Sequence, residues 1–397
     1  MAGSKHKILN KEDVINRSTL LHEAIPITGS LLSGTYANSA GSDENVKNYS
    51  HGQFQSVYDY PYLSSSANHI LDITCGYSSV SALSSSTNTQ NAKKINIYNQ
   101  MAQVLAGYDH TGSILRFDEA GEVVDTGTKM DEVYFLNFAR LLTKDEIKKG
   151  TFELELGVRQ AFDHGGSGGS SAHTRRIKLV DYSGSDGYKV NSPAGEYGVL
   201  YAQTTVVDGD GVLDANLLEG ERIESNVSDH ESWKRAGLLY YQAGVAVVSG
   251  SVFGEQSNAV LGTFGILSGS SAAAVVVSET NASGSGFNSI TGSTIEAMAN
   301  GLRNRIYNIQ FNNTTELNST IYFCRVNHNE FNYSTNPTFT SGSQIVVKEN
   351  RNDTSKTYIT TVGLYNANDE LLAVAKTSEP LVKTPEDELT LRVRLDY

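Results

Sequence analysis

Residues 389–397, LTLRVRLDY, place an apolar side chain at every second position: Leu389, Leu391, Val393 and Leu395. Arg392, Arg394 and Asp396 fall between them. A period of two is the signature of a strand with one face turned inward and one outward, and it is incompatible with a helix, whose repeat is 3.6. The stretch FELELGV repeats the pattern, with Phe152, Leu154, Leu156 and Val158 on one face and Glu153 and Glu155 on the other. Most remaining apolar segments are short runs rich in β-branched or aromatic residues: NHILDITCGY, RRIKLVDY, GEYGVLYAQTTVVD, AGLLYYQAGVAVV, STIYFCRV, SQIVVKEN, TYITTVGLY and ELLAVAK. Such runs, bounded by Gly, Ser, Asn and Asp, read as strands. The expected fold class is mainly β with a few helices (α+β), built from antiparallel β-sandwich or meander units in more than one domain.

Four segments carry a helical signal. KEDVINRSTLLHEAI (11–25) reads as a short helix near the start. In NAKKINIYNQMAQVLA (91–106) Ile95, Tyr98, Ala102 and Leu105 fall at helical spacing, and Gly107 follows as a stop. TKDEIKKG (143–150) offers Thr143 as an N-cap, acids in the first turn and Gly150 after the last lysine. TIEAMANGLRNRIYNIQ (294–310) sets Ile295, Met298, Leu302, Ile306 and Ile309 on one helical face. The 397 residues have room for two or three cores, and Gly/Ser-rich stretches suggest where to divide them. The expected domains are 1–160, a mixed α/β assembly domain with an extended arm; 161–293, a β-rich domain with Gly/Ser loops; and 294–397, a helix followed by an antiparallel β domain.

A net charge of −13, with only the short basic groups HTRRIK and AKK, argues against nucleic acid as partner, since neutralising phosphates requires a clustered basic surface. The N-terminus lacks the apolar core of a secretory signal, and the longest apolar run (236–248) has two glycines and Gln242, too short to span a bilayer. No membrane insertion is expected. Cys75 and Cys324 lie in separate strand-like contexts and read as free thiols.

Candidate chemistry is sparse. In DGDGVLDANLLE, Asp208, Asp210, Asp214, Asn216 and Glu219 occupy positions one, three, seven, nine and twelve of a calcium-loop template. Val212 and Leu213 stand where that template needs a ligand and a turn-making glycine, so two Asp-Gly turns are the plainer reading. Asp163, His164, Ser167 and His173 in DHGGSGGSSAH spell a possible catalytic set without a strand–turn–helix to fix it. The expectation is a non-enzyme with no cofactor.

Several stretches resemble virion structural proteins of large contractile-tailed bacteriophages: NAKKINIYNQMAQVLAGYDHTGSI (91–114), DEVYFLNFARLLTKDEIKKGTFELELG (131–157), GLLYYQAGVAVV (237–248), NHNEFNYSTNPTF (327–339) and YITTVGLYNANDELLAVAKTSEPL, which begins at Tyr358. The resemblance implies a tail, baseplate or neck subunit that assembles with copies of itself and with other virion proteins, located in the tail region of the particle and in the host cytoplasm during assembly. Two other readings stand beside it: a carbohydrate-contacting, receptor-binding adhesin associated with tail fibres, and a glycan-degrading tail enzyme. In the leading reading Leu389, Leu391, Val393, Leu395 and Tyr397 form an assembly strand, pairing either within the chain or with a neighbour.

Overall fold

The computed structural model describes residues 6–33, 35–36, 44–61, 68–81, 84–123, 127–157, 176–182, 184, 186–204, 235–253, 294–334, 336–346 and 348–397. In chain order the strands are β1 (Val14–Thr28), β2 (Val46–Asn48), β3 (Gln55–Tyr58), β4 (His69–Tyr77), β5 (Glu132–Phe138), β6 (Glu146–Ile147), β7 (Glu153–Gly157), β8 (Arg176–Val180) and β9 (Lys189–Ser192). There follow β10 (Gly195–Thr204), β11 (Arg235–Tyr240), β12 (Val245–Ser249), β13 (Ile306–Val326), β14 (Thr340–Ser341), β15 (Gln344–Ile345), β16 (Thr357–Tyr365), β17 (Leu371–Lys383) and β18 (Leu389–Asp396). The α-helices are α1 (Gly29–Ser33), α2 (Asn91–Leu105), α3 (Arg140–Thr143) and α4 (Ile295–Arg305). The mainly β, antiparallel class read from the sequence is what the structure shows.

The chain divides into two compact units. The first combines Met1–Leu21 with Glu316–Tyr397, and the second is His22–Thr315. Strands β1 and β13 contribute residues to both.

The second unit holds the main core. Its sheet runs β13-β7-β8-β10-β11-β12-β5-β4-β3-β2, every neighbouring pair antiparallel. The segments β2 to β5 and β10 to β12 are meanders, so each strand lies beside its neighbour in sequence. Helices cover both faces, and strand register assigns them. Gln55 lies opposite Ile73, so the two share a face. Gln55 also hydrogen-bonds the α4 residue Asn300 and accepts from Arg303 Nε at 3.2 Å, which puts α4 on that face. Gly76, three residues beyond Ile73, belongs to the opposite face. A Cβ built at Gly76 would stand 2.6 Å from the Lys94 carbonyl oxygen and 3.0 Å from the Tyr98 nitrogen, so α2 lies against this second face. Double coverage explains why β11, β12 and β5 read as nearly continuous apolar runs. Ala236–Tyr240, Val245–Ser249 and Val133–Leu136 are buried throughout. Tyr98 anchors α2: its hydroxyl donates to the Met130 carbonyl at 2.9 Å, and its ring meets Phe117 edge-on, which in turn meets Phe135.

Three helical expectations change. Residues 14–28 are strand β1, preceded only by a 3-10 turn at Lys11–Asp13. The β-branched Val14, Ile15, Thr19, Ile25 and Ile27 favour extended backbone, Pro26 is incompatible with a helix interior, and β13 alongside supplies the ladder. Thr143 is not an N-cap but the last residue of α3, and Lys144 follows at φ 56°. Its Oγ1 is buried without a hydrogen-bond partner among the described residues. Residues 144–150 then turn into β6, which pairs with β13. Finally, α4 ends at Arg305, so Ile306 and Ile309 enter the core from β13 rather than from the helix. Helix α2 forms over the expected residues, and Thr294 caps α4 by accepting from the Ala297 amide at 3.1 Å.

Candidate assembly surface

The first unit is organised differently from the second. Its buried apolar side chains among the described residues are Ile321, Val326, Phe339 and Val393. Against these, Ile8, Ile15, Leu20, Leu21, Phe331 and Tyr333 are exposed, as are Tyr358 and Tyr365 of β16 and Leu371, Leu372, Val374 and Val382 of β17.

Strand β18 belongs to this unit and pairs antiparallel with β13, from Leu389 opposite Val326 to Asp396 opposite Ser319. The expected alternation is present: Val393 is buried, Leu389, Leu391 and Leu395 are half-buried, and Thr390, Arg392, Arg394 and Asp396 are exposed. The pairing continues into residue 397, where the Tyr397 amide donates to the Asn318 carbonyl at 2.8 Å and its hydroxyl meets Thr320 Oγ1 at 3.1 Å. The assembly strand proposed from the sequence therefore has its ladder partner within the chain. The Asp396 carboxylate is held below the usual carboxylate range by a hydrogen bond from Ser319 and by Arg394, whose Nε lies 2.6 Å away. That ion pair runs along the strand, not across it.

Strands β16 and β17 do not join β18. They form a separate two-stranded ribbon. Its Asn/Asp turn forms as the sequence suggested: Asn366 Oδ1 accepts from the amides of Asn368 and Glu370, both at 2.9 Å, and Asp369 takes φ 63°. Register places Val362 opposite Ala375 and Leu364 opposite Ala373, all four half-buried. On the other face Gly363 lies opposite Val374 and Tyr365 opposite Leu371. Those last three side chains are exposed, Tyr365 at 46%, Val374 at 50% and Leu371 at 52%. A register shift near Leu372 marks a bulge, and that side chain is 68% exposed. A two-stranded ribbon in water is marginally stable because nothing covers its faces. The sequence signal for this surface is that TYITTVGLY and ELLAVAK carry apolar residues in both alternation phases, so both faces are apolar; the sequence does not say that the chain leaves the face of Tyr365, Leu371 and Val374 exposed.

In the second unit the closest approach to a chemical cluster lies on β2, β3 and β4. Asp72 Oδ1 accepts from Ser56 Oγ at 2.5 Å and lies 2.8 Å from His69 Nε2. Ser56 Oγ also lies 3.3 Å from the Tyr49 hydroxyl. Nucleophilic catalysis of the serine type needs the imidazole between hydroxyl and carboxylate. Here the carboxylate stands in the middle, so it ties serine and histidine together and the imidazole is not placed to take the serine proton. Beside this knot, the Tyr49 ring stacks on His51 at 5.1 Å and lies 4.6 Å below Lys47 Nζ.

Asp208, Asp210, Asp214, Asn216 and Glu219 of the calcium-like loop lie outside the described residues, as do Asp163, His164, Ser167 and His173. Among the described residues no three His, Cys, Asp or Glu side chains gather where they could hold a metal ion, and no helix is long and apolar enough to cross a membrane. Neither cysteine is in a disulfide: Cys75 is buried and Cys324 half-buried. Comparison with protein-family models, with curated proteins and with solved structures finds no match for this chain.

Proposed function

We propose that the protein is a structural subunit of a contractile-tailed phage virion, a tail, baseplate or neck component that works by protein–protein assembly with copies of itself and with other virion proteins. One observation carries the assembly reading: among its described residues the first unit buries four apolar side chains, and its ribbon leaves Tyr, Leu and Val side chains exposed. An exposed apolar surface of that kind marks an interaction site, because a partner removes from water what the isolated chain cannot. The placement in a phage tail rests on the sequence resemblance. A receptor-binding role is the second reading, favoured by the Tyr49, His51 and Phe54 rings packed beside polar Ser56, His69 and Asp72. Aromatic faces next to hydrogen-bonding groups suit carbohydrate.

Light scattering on the purified protein, combined with pull-down from a lysate of infected cells, tests the assembly reading. The expected result is self-association or recovery of another tail protein. A strict monomer that captures no virion protein and is absent from purified particles would overturn it. Binding of host-envelope polysaccharide, lost on Tyr49→Ala, would favour the receptor reading instead.

A further inference from the structure

We propose that residues 6–9 form an exchange arm: in the associated protein each copy seats His6 and Lys7 on the first unit of a second copy, in the place they occupy on their own. This rests on the assembly reading above and adds the surface, the partner and the symmetry.

The seat lies within the first unit. A Cβ at Gly363 would stand 2.9 Å from Tyr365 Cε2 and 3.2 Å from Leu371 Cδ1, so those two side chains close over the glycine. The His6 ring lies against Tyr365, with centroids 4.8 Å apart, and its Nε2 is 3.7 Å from Asp369 Oδ1 in the turn. Lys7 Nζ lies 2.5 Å from Glu330 Oε2. That same oxygen accepts from the Asn327 amide at 3.0 Å, so the carboxylate is already oriented. The loop carrying it is tied to the base of the ribbon. There Thr357 Oγ1 donates to the Phe331 carbonyl at 2.7 Å, and the buried Lys383 ammonium donates to the His328 carbonyl at 3.1 Å and to Asn332 Oδ1 at 2.7 Å.

The seat is therefore fixed, and the arm is not. Residues 7–10 belong to no helix or strand, and the arm is rooted at the Asn10–Asp13 turn, where Asp13 Oδ1 lies 2.8 Å from Arg325 Nε. Its own seat covers it incompletely: Ile8, beside the Lys7 anchor, is 86% exposed, and Tyr365, Leu371 and Val374 remain exposed as well. The ion pairs that hold the arm are partly in water, where such pairs contribute little, so it is easily displaced. A second copy offers an identical seat. Exchange re-forms each of these contacts between chains and gives Ile8 and the ribbon face a cover that one chain does not supply. Swapping identical elements is a low-cost route to a dimer, and because it is reciprocal it closes at two copies. Only about 10 Å of extended chain separates Lys7 from Asn10, so each root must stand beside the partner's seat, which brings the two ribbons together.

The Lys7–Glu330 contact provides the test. Isotope-labelled and unlabelled protein are mixed in equal amounts at low concentration, concentrated, and treated with a carbodiimide, which couples an amine to a carboxylate in contact. Exchange predicts that about half of the 7–330 cross-linked peptide carries one labelled and one unlabelled half, from random pairing of two copies. Charge exchange gives a second readout by light scattering, with circular dichroism to check that each variant folds. Lys7→Glu and Glu330→Lys alone should each weaken association by roughly tenfold, since both contacts of the dimer become repulsive. An equimolar mixture of the two variants should restore association, because only a pair of unlike copies sets opposite charges together at both seats. Contact within each chain would stay repulsive in that mixture. If the wild type associates but its cross-links never mix labels, or none forms between 7 and 330, the exchange arm is wrong while the assembly reading stands. If the variants associate like wild type, or fold and fail to recover on mixing, the arm is likewise not what joins the copies. If the wild type stays monomeric and captures no virion protein, both fall. If it binds only a different virion protein, the second copy is not the occupant.

Discussion

Cys75 and Cys324 show how position decides the behaviour of a side chain. Cys75 sits on β4 with no solvent exposure, and burial pushes its thiol up to about 12. Burial raises the Cys324 thiol too, with the nearby Asp13 charge adding to it, but this residue remains partly exposed on β13. The thiolate is the reactive species, so raising the pKa suppresses reaction with disulfide reagents and exposure permits it. At neutral pH a chromogenic disulfide should modify Cys324 slowly and Cys75 only after unfolding, with both thiols titrating in denaturant. Rapid modification of Cys75 in the native protein would contradict its placement. The sequence showed two strand-borne free thiols; their unequal access follows from which strand has helices on both sides.

At the scale of elements, the contact between β4 and α2 is the tightest test of the fold. Gly76 has no side chain where the backbone of α2 approaches, with the Lys94 carbonyl oxygen 2.6 Å from where a Cβ would sit. Two backbone segments cannot yield as a side-chain tip can. Gly76→Ala should therefore cost about 1–3 kcal/mol, the usual cost of overpacking, visible as a lower urea midpoint with an unchanged slope. An unchanged midpoint would mean that α2 does not lie against β4 as described. Local sequence was a good guide to α2, whose apolar spacing matches the face it buries. It misled at 11–25 and 143–150, where polar residues with modest helix propensity gave a helical signal. In both places β13 offers a ladder, and the hydrogen bonds of a ladder outweigh a few tenths of a kcal/mol per residue of helix preference.

For the whole molecule, the two units differ in how acid acts on them. In the first unit, Asp396 is held low by Ser319 and Arg394, Glu330 by Lys7 and the Asn327 amide, and Asp353 by the amides of Asn350 and Glu349. A carboxylate whose folded pKa lies below its unfolded value contributes stability at neutral pH, which is lost as pH falls through the folded value. In the second unit burial raises Glu132 and Asp181, so their charged forms oppose folding at neutral pH, and protonation on the way down removes that opposition. Asp109, also lowered, ties only its own turn through Thr111 and Ser113. Acidification from pH 7 towards pH 3 should open the first unit before the second, read by pulsed hydrogen exchange. Earlier loss of protection in residues 22–315 would reverse this ordering.

Sequence alone determined the β-rich class, the position of α2, the alternation of β7 and β18, and the Asn366 turn, because each depends on a period or a local hydrogen bond within a few residues. It also supplied the resemblance on which the phage-tail proposal rests. Only the tertiary structure decided that β18 pairs with β13, that the β16–β17 ribbon is a separate sheet from it, and that residues 11–28 are mostly strand. Those outcomes depend on which distant segment supplies the other half of each ladder. The exposed surface of the first unit belongs to the same class: an apolar strand reads alike whether its own chain covers it or leaves it for another, since the pattern records that a face is apolar and not what meets it.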